Sequence, residues 1–275
     1  MTVIAITGGG RGIGAATARA LAARGDRVAI GDIDATAATA LADQLPGAIG
    51  VQLDVTDAAS YQRFLDDVEN RLGALDVLIA NAGVMWVGPF DQEPEAAMRR
   101  QIAVNLEGVI TGFKLATPAM RQRGSGHVVV VASAASKLAP AGEATYAATK
   151  HAVYGYCTAV REELRGSGVD VSVLMPTVVA TELAAGTSSG KVALLTPEQV
   201  AAGVLALVDG RQPELFLPRK AGLAALAMAV TPPRLRGALQ RLLVPNQVVL
   251  GHPEQRRDYE TRTLDKPAPE DGSVS

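Results

Sequence analysis

Short apolar runs alternate with longer segments of helical character along most of the 275 residues. That alternation constrains the fold more than any single motif. A strand buried on both faces reads as a continuous apolar run, and a crossover helix returns the chain to begin the next parallel strand. The runs are Thr2–Thr7, Arg27–Gly31, Ala48–Leu53, Leu75–Ala80, His127–Ala132, Val169–Met175 and Glu214–Leu217. They predict one α/β unit, a doubly wound parallel sheet of about seven strands with helices on both faces. Between them, helices are expected over Ala35–Leu45, over Asp57–Leu72 with Thr56 as N-cap, over Pro94–Arg123 with a break or two, and over Glu143–Gly166. Thr196-Pro197-Glu198 opens another, with a cap residue before a first-turn proline.

Composition agrees with a folded enzyme-sized unit. Apolar residues make up 48% and charged residues 20%. The net charge of −2 gives no reason to expect nucleic acid as a partner. Cys157 is the single cysteine, so no internal disulfide framework exists, and it reads as a small core residue. The three histidines have no ligand-like spacing, so no metal site is expected. The first strand starts at once, leaving no room for a signal peptide. The apolar run Ala221–Val230 is ten residues long, and a membrane-spanning helix needs about 20. A cytoplasmic location follows as the expectation.

Two stretches carry chemistry. After the first strand comes Gly8-Gly9-Gly10-Arg11-Gly12-Ile13-Gly14, and then an alanine-rich helix. Glycines at a strand-to-helix turn let a phosphate approach the backbone, and the helix start offers unpaired N–H groups and a positive dipole end. The second strand delivers Asp32, 18 residues after Gly14 (32 − 14), where a carboxylate can bond ribose hydroxyls and repel a 2′-phosphate. Asp54 and Asn81 also follow apolar strands, at the sheet edge where ligands sit. The other stretch is Ser133–Lys150. Tyr146 and Lys150 stand four apart on one helix face. An ammonium there should lower the tyrosine pKa from its ordinary value of about 10. Ser133, from the preceding strand end, could hold a substrate oxygen.

Together these residues resemble the short-chain dehydrogenase/reductase family. The family's TGxxxGxG motif matches Thr7 through Gly14, its NAG motif Asn81-Ala82-Gly83, and its YxxxK motif Tyr146 through Lys150. Its serine falls on Ser133 and its tetrad asparagine on Asn105. The match runs over about residues 2–217 and implies a Rossmann-like fold over 1–217. It also implies NAD rather than NADP, since an acidic residue at Asp32 goes with NAD, although Arg11 is a basic residue of the kind that contacts phosphate. By resemblance, Gly8, Arg11, Gly12, Ile13, Gly14, Asp32, Ile33, Asp54, Val55, Asn81, Ala82, Gly83, Tyr146 and Lys150 bind the cofactor. Asn81 stiffens the sheet beside it. Pro176, Val179 and Thr181 lie where the family contacts the carboxamide, with Thr177 replacing the usual glycine. Tyr146 is implied as acid/base, Ser133 as the group polarising the substrate oxygen, Lys150 as its partner and a ribose contact, and Asn105 as holder of a water. Family members form oligomers through the Asn105 and Tyr146 helices, so a homodimer or homotetramer is expected.

Residues 218–265 are expected to form a helical extension, and 266–275 a disordered tail. Within Arg219–Arg241 stand five basic residues and no acidic one, among apolar runs. The segment could pack on the enzyme or a second subunit, or touch an anionic membrane. Thr181–Leu195, rich in small residues, reads as a mobile lid with Gly186 and Gly190 as permissive points. Met85, Trp86, Val87, Leu138, Ala139 and Leu183 are the expected pocket lining, suited to a hydrophobic secondary alcohol or ketone. The competing readings are an NADP-dependent carbonyl reductase, a catalytically silent nucleotide sensor or scaffold, and a sugar-nucleotide dehydratase or epimerase.

Overall fold

A computed structural model describes residues 1–190 and 192–264. The tail expected to be disordered from 266 onward lies outside them. Seven strands are all parallel: β1 (Val3–Thr7), β2 (Arg27–Asp32), β3 (Ala48–Gln52), β4 (Val77–Ala80), β5 (Gly126–Val131), β6 (Val169–Pro176) and β7 (Glu214–Leu217). Their order is β3-β2-β1-β4-β5-β6-β7. The chain therefore builds outward from β1 on one side, then restarts at β4 on the other. At such a reversal the loops after β1 and β4 part, leaving a crevice beyond the carboxyl ends of the strands.

Alternate residues of each strand feed opposite faces, which is why the strands are apolar throughout. Ala5, Val128 and Val130 pack with Phe64, Phe113 and Cys157 on one face. Ile4, Ile6, Val129 and Val131 pack with Leu21, Leu41 and Leu207 on the other. The first layer belongs to α3 (Ala58–Leu72), α5 (Gly108–Arg123) and α6 (Ala144–Glu163). The second belongs to α1 (Gly12–Ala23), α2 (Ala35–Ala42) and α7 (Pro197–Gly210). Cys157 is fully buried, as its core reading required.

Several boundaries differ from expectation for local reasons. The cap of α3 is Asp57, whose carboxylate accepts from Ala59 N–H at 2.8 Å. Thr56, the expected cap, donates its hydroxyl to Asp54 Oδ1 at 2.7 Å instead. The predicted break in Pro94–Arg123 is a π-helical turn, Ala103–Glu107, joining α4 (Glu95–Ile102) to α5. The α7 start is as read: Thr196 and Gln199 form a reciprocal capping box with Pro197 in the first turn. Beyond β7 come α8 (Arg219–Val230), α9 (Pro233–Leu243), α10 (Gln247–Leu250) and α11 (Arg257–Thr263).

Candidate active site

A cleft of about 890 Å³ opens above the carboxyl ends of the strands. Its first half is assembled by the loop after β1. Gly8 and Gly12 have φ of +61° and +51°, a region closed to most side chains. A Cβ at Gly14 would collide with the Gly8 carbonyl oxygen, so α1 packs tightly under its own loop. Asn81 donates through Nδ2 to the carbonyls of Thr7 (3.0 Å) and Gly8 (2.9 Å). Thr7 Oγ1 accepts from the N–H groups of Asn81 and Ala82, each at 3.0 Å. These bonds lock β1 to β4 at the floor, the stiffening expected of Asn81.

Asp32 accepts from Gly10 N–H at 2.9 Å through Oδ2 and from Asp34 N–H at 3.0 Å through Oδ1. The glycine loop is thus held to the end of β2 by the same carboxylate predicted to face the ribose. Arg11 borders the cleft, and its guanidinium is also engaged by two carboxylates. Its guanidinium pairs with Asp34 at 2.5 Å and approaches Glu182 at 3.8 Å. Asp54 accepts from Thr56 N–H at 2.9 Å, so it shapes this turn, and it borders the cleft together with Val55. Ile33, Ile13, Ala82, Gly83, Pro176, Val179 and Thr181 all border the cleft. Thr177 occupies its position without a positive φ, and its N–H donates to Leu217 O at 2.8 Å, so glycine is not required there.

Ser133, Tyr146 and Lys150 meet on the wall between the two halves. Ser133 Oγ accepts from Ala135 N–H at 3.1 Å and lies near the Tyr146 hydroxyl. Lys150 Nζ lies 5.5 Å from the Tyr146 ring centre and reaches Val131 O at 3.5 Å. Burial pushes the Tyr146 hydroxyl above its ordinary range, with the Glu143 charge adding to this and the Ser133 hydroxyl opposing it. The lowering expected from Lys150 is not seen, and desolvation sets the direction instead. Burial also brings Lys150 down to about 8.

Asn105 is completely buried and lies behind the wall, as does Gly14. Its Oδ1 accepts from Val84 N–H at 2.8 Å, and its Nδ2 donates to Val84 O at 2.9 Å and Thr149 Oγ1 at 3.2 Å. The side chain is committed to joining the β4 loop to α6. A Cβ added at Gly83 would stand 3.4 Å from Asn105 Oδ1 and 3.6 Å from Lys150 Nζ, which places that glycine between them.

The second half of the cleft differs most from expectation. Met85, Leu138 and Leu183 line it, but Trp86, Val87 and Ala139 do not. Trp86 lies over Gly88, and Ala139 O accepts from Gln240 Nε2 at 2.6 Å. In their place stand Glu143, Gln247 and Tyr259. Arg256, 1% exposed, ties this half together. It donates to Leu183 O (2.9 Å), Ala185 O (2.6 Å) and Met85 O (2.7 Å), and pairs with Glu260 at 2.9 Å. Tyr259 Oη accepts from Met85 N–H at 3.1 Å. Ser188 and Gln247 exchange two hydrogen bonds, at 2.8 and 2.9 Å. The predicted lid does turn at Gly186 and Gly190, with φ of +69° and +60°. It is nonetheless strapped down by the C-terminal helices rather than left unattached. Glu143 had a signal in its spacing from Tyr146. Arg256 and Tyr259 had none, because nothing local links them to residues some 170 positions earlier.

A family model described as short chain dehydrogenase matches residues 2–191. The chain belongs to the short-chain dehydrogenase/reductase family and has its Rossmann-like fold. The D-threitol dehydrogenase of Mycolicibacterium smegmatis is 37% identical over 185 residues, covering 66% of this chain and 71% of that relative. An alcohol dehydrogenase from the archaeon Thermococcus sibiricus, solved with 5-hydroxy-NADP, aligns with a TM-score of 0.71 at 30% identity, over 78% of this chain and 96% of that one. A short-chain dehydrogenase/reductase from Burkholderia phymatum, solved with NAD, aligns with a TM-score of 0.75 at 26% identity, over 88% and 95%. The protein is an oxidoreductase of alcohols and ketones by family.

Proposed function

We propose that this protein is an NAD(H)-dependent enzyme interconverting a secondary alcohol and a ketone on a small, largely hydrophobic skeleton. The observation that carries the reading is the placement of Ser133, Tyr146 and Lys150 on the wall of a cleft whose far end is the glycine loop and Asp32. The cradle fits a dinucleotide: the glycines leave no side chain over the start of α1, and Asp32 stands at the end of β2. Gly8, Gly12 and Ile13 would hold the pyrophosphate, Asp32 and Ile33 the adenosine ribose, Asp54 and Val55 the adenine, and Pro176, Val179 and Thr181 the carboxamide. When bound, the nicotinamide supplies the hydride acceptor or donor.

Tyr146 exchanges the proton with the substrate oxygen, and Ser133 fixes that oxygen by hydrogen bonding. Lys150, charged below about pH 8, stabilises the phenolate that forms as the proton leaves. Asn105 positions the α6 face through Thr149 and the β4 loop through Val84. A panel of hydrophobic secondary alcohols and ketones, followed at the nicotinamide absorbance band with each cofactor, tests this. No turnover with either cofactor would sink it and favour a silent nucleotide-binding protein.

NAD is favoured over NADP because a 2′-phosphate would meet Asp32 and Asp34, while Arg11 is already paired. The solved relatives include one complex of each kind, so comparing kcat/KM for the two cofactors decides. We also place the enzyme in the cytoplasm and assemble it as a homodimer or homotetramer through α5 and α6, which sedimentation equilibrium would check.

A second reading concerns α8, α9 and α10. Nine of the thirteen exposed large hydrophobic residues lie on them, among them Leu223, Val230, Leu242 and Val249. The basic residues of Arg219–Arg241 flank that surface without an acidic neighbour, and Lys220, Ala224 and Leu243 border the cleft. No described helix is long and apolar enough to cross a membrane. The arrangement supports peripheral seating on an anionic bilayer, with the cleft mouth facing lipid. Co-sedimentation with phosphatidylserine vesicles, reversed by salt, is the expected result. Binding to neither anionic nor neutral vesicles would remove this reading.

A further inference from the structure

Glu143 is the one buried acidic group on the substrate side of the cleft, among the described residues, that the reading above leaves without a task. It stands at the N-cap of α6 yet makes no side-chain capping bond. It is 7% exposed, and what remains open borders the cleft. Tyr146 follows three residues later and Lys150 seven later, so all three share one face of α6. Met85, Ala135, Tyr146, Ala147 and Leu183 form the apolar cluster on the same side of the cleft. Among the described residues no hydrogen bond or ion pair engages its carboxyl. Arg256, whose charge acts on it, already serves three carbonyls and Glu260.

A buried carboxyl without a partner is costly, and native structures seldom leave one unsatisfied. Because Glu143 borders the cleft, a bound ligand can supply that partner. We propose that Glu143 is a specificity-determining residue, whose carboxyl hydrogen-bonds a second hydroxyl of the substrate while the reacting oxygen sits at Tyr146 and Ser133. The preferred substrates are then diols and hydroxyketones on an apolar skeleton, rather than simple alcohols and ketones. This rests on the alcohol/ketone reading of the same site. A hydroxyl suits the position better than an ammonium for a further reason. Burial holds the Glu143 carboxyl near the middle of its titration at neutral pH, at about 7. A hydroxyl can donate to the anion or accept from the acid, whereas an ammonium serves only the anion.

The test uses the full chain and compares cyclohexanol with 1,2-, 1,3- and 1,4-cyclohexanediol. The readout is the ratio of kcat/KM for the best diol to that for cyclohexanol, in the wild type, Glu143→Gln and Glu143→Leu. The wild-type ratio is expected at about tenfold or more, since a site built to bond a hydroxyl discriminates against its absence. Glu143→Leu should bring it to within about twofold of unity, and Glu143→Gln, whose amide still accepts and donates, should retain most of it. NADH titration by fluorescence reports whether each variant keeps the fold. A wild-type ratio near one, an unchanged ratio in Glu143→Leu, or a Glu143→Leu protein that no longer binds NADH would each overturn the proposal. Turnover of cyclohexanol and the diols at equal rates removes only Glu143 from its role, whereas turnover of none of them by the wild type removes the oxidoreductase reading itself.

Discussion

The two halves of the cleft are built by opposite means. The cofactor half comes from successive strand ends between Gly8 and Gly83, and its contacts are short in sequence or run between neighbouring strands. The substrate half joins Met85, Glu143 and Leu183 to Arg256 and Tyr259, the last bonded to Met85 across 174 positions. In the first half the backbone itself is the binding surface, so glycine spacing records it. In the second half side chains from distant segments are the surface, and no local pattern records their meeting. Substitutions should separate the two, leaving one half working while the other fails.

The largest effect is expected at their junction. Tyr146→Phe should lower kcat by about 10³-fold, in the range of a lost general acid/base, with the NADH dissociation constant unchanged within about threefold. Near-normal turnover would mean the wall is not where the halves meet. Next is Arg256→Met, which strips three carbonyls of their donor and leaves Glu260 unpaired at the strap. It should cost about 3 kcal/mol of stability and raise KM for substrate more than for NAD, read by chemical denaturation and initial rates. Equal loss on both sides would show that the strap supports the whole cleft.

Glu143 gives a pH-dependent test of the substrate half. Its folded pKa of about 7 lies above the ordinary carboxylate value of 4.5. Folded protein therefore retains a proton that the unfolded chain releases between those values. Stability from this group is present below about pH 4.5 and lost as pH rises through about 7. Glu143→Gln should be more stable relative to the wild type at pH 8 than at pH 5, by about 2 kcal/mol. Parallel melting curves at the two pH values would show the gap, and a constant difference would contradict the burial of the carboxyl. The smallest change is set for the cofactor half. Asp32→Ala should shift the NADP-to-NAD ratio of kcat/KM upward by about tenfold, with the ratio between two substrates untouched. A fall in that substrate ratio would break the separation.

Much was legible beforehand, for reasons that can be named. Strands buried on both faces must be apolar, so His127–Ala132 and its counterparts marked the sheet. Thr196 with Pro197 stated a helix start in purely local chemistry. Thr56 misled because two acceptor-bearing neighbours, Asp54 and Asp57, competed to organise the same turn. Trp86, Val87 and Ala139 misled because position after a strand does not say which way a side chain turns. Arg11 was legible as a cation but not as one already neutralised, since Asp34 reaches it only once β2 lies beside β1. The tyrosine pKa went the other way because spacing reports a nearby charge but not the desolvation around it.

From residue order alone came the parallel sheet, the glycine cradle, the acidic residue at the end of β2 and the Ser133–Tyr146–Lys150 set. Each is written in periodicity or in a local spacing that backbone geometry requires. Tertiary packing alone decided that the C-terminal helices close the substrate half, that Arg256 pins the segment after β6, and that Glu143 is enclosed without a partner. Those outcomes depend on which distant surfaces exclude water from one another, and burial is a property of the assembled fold.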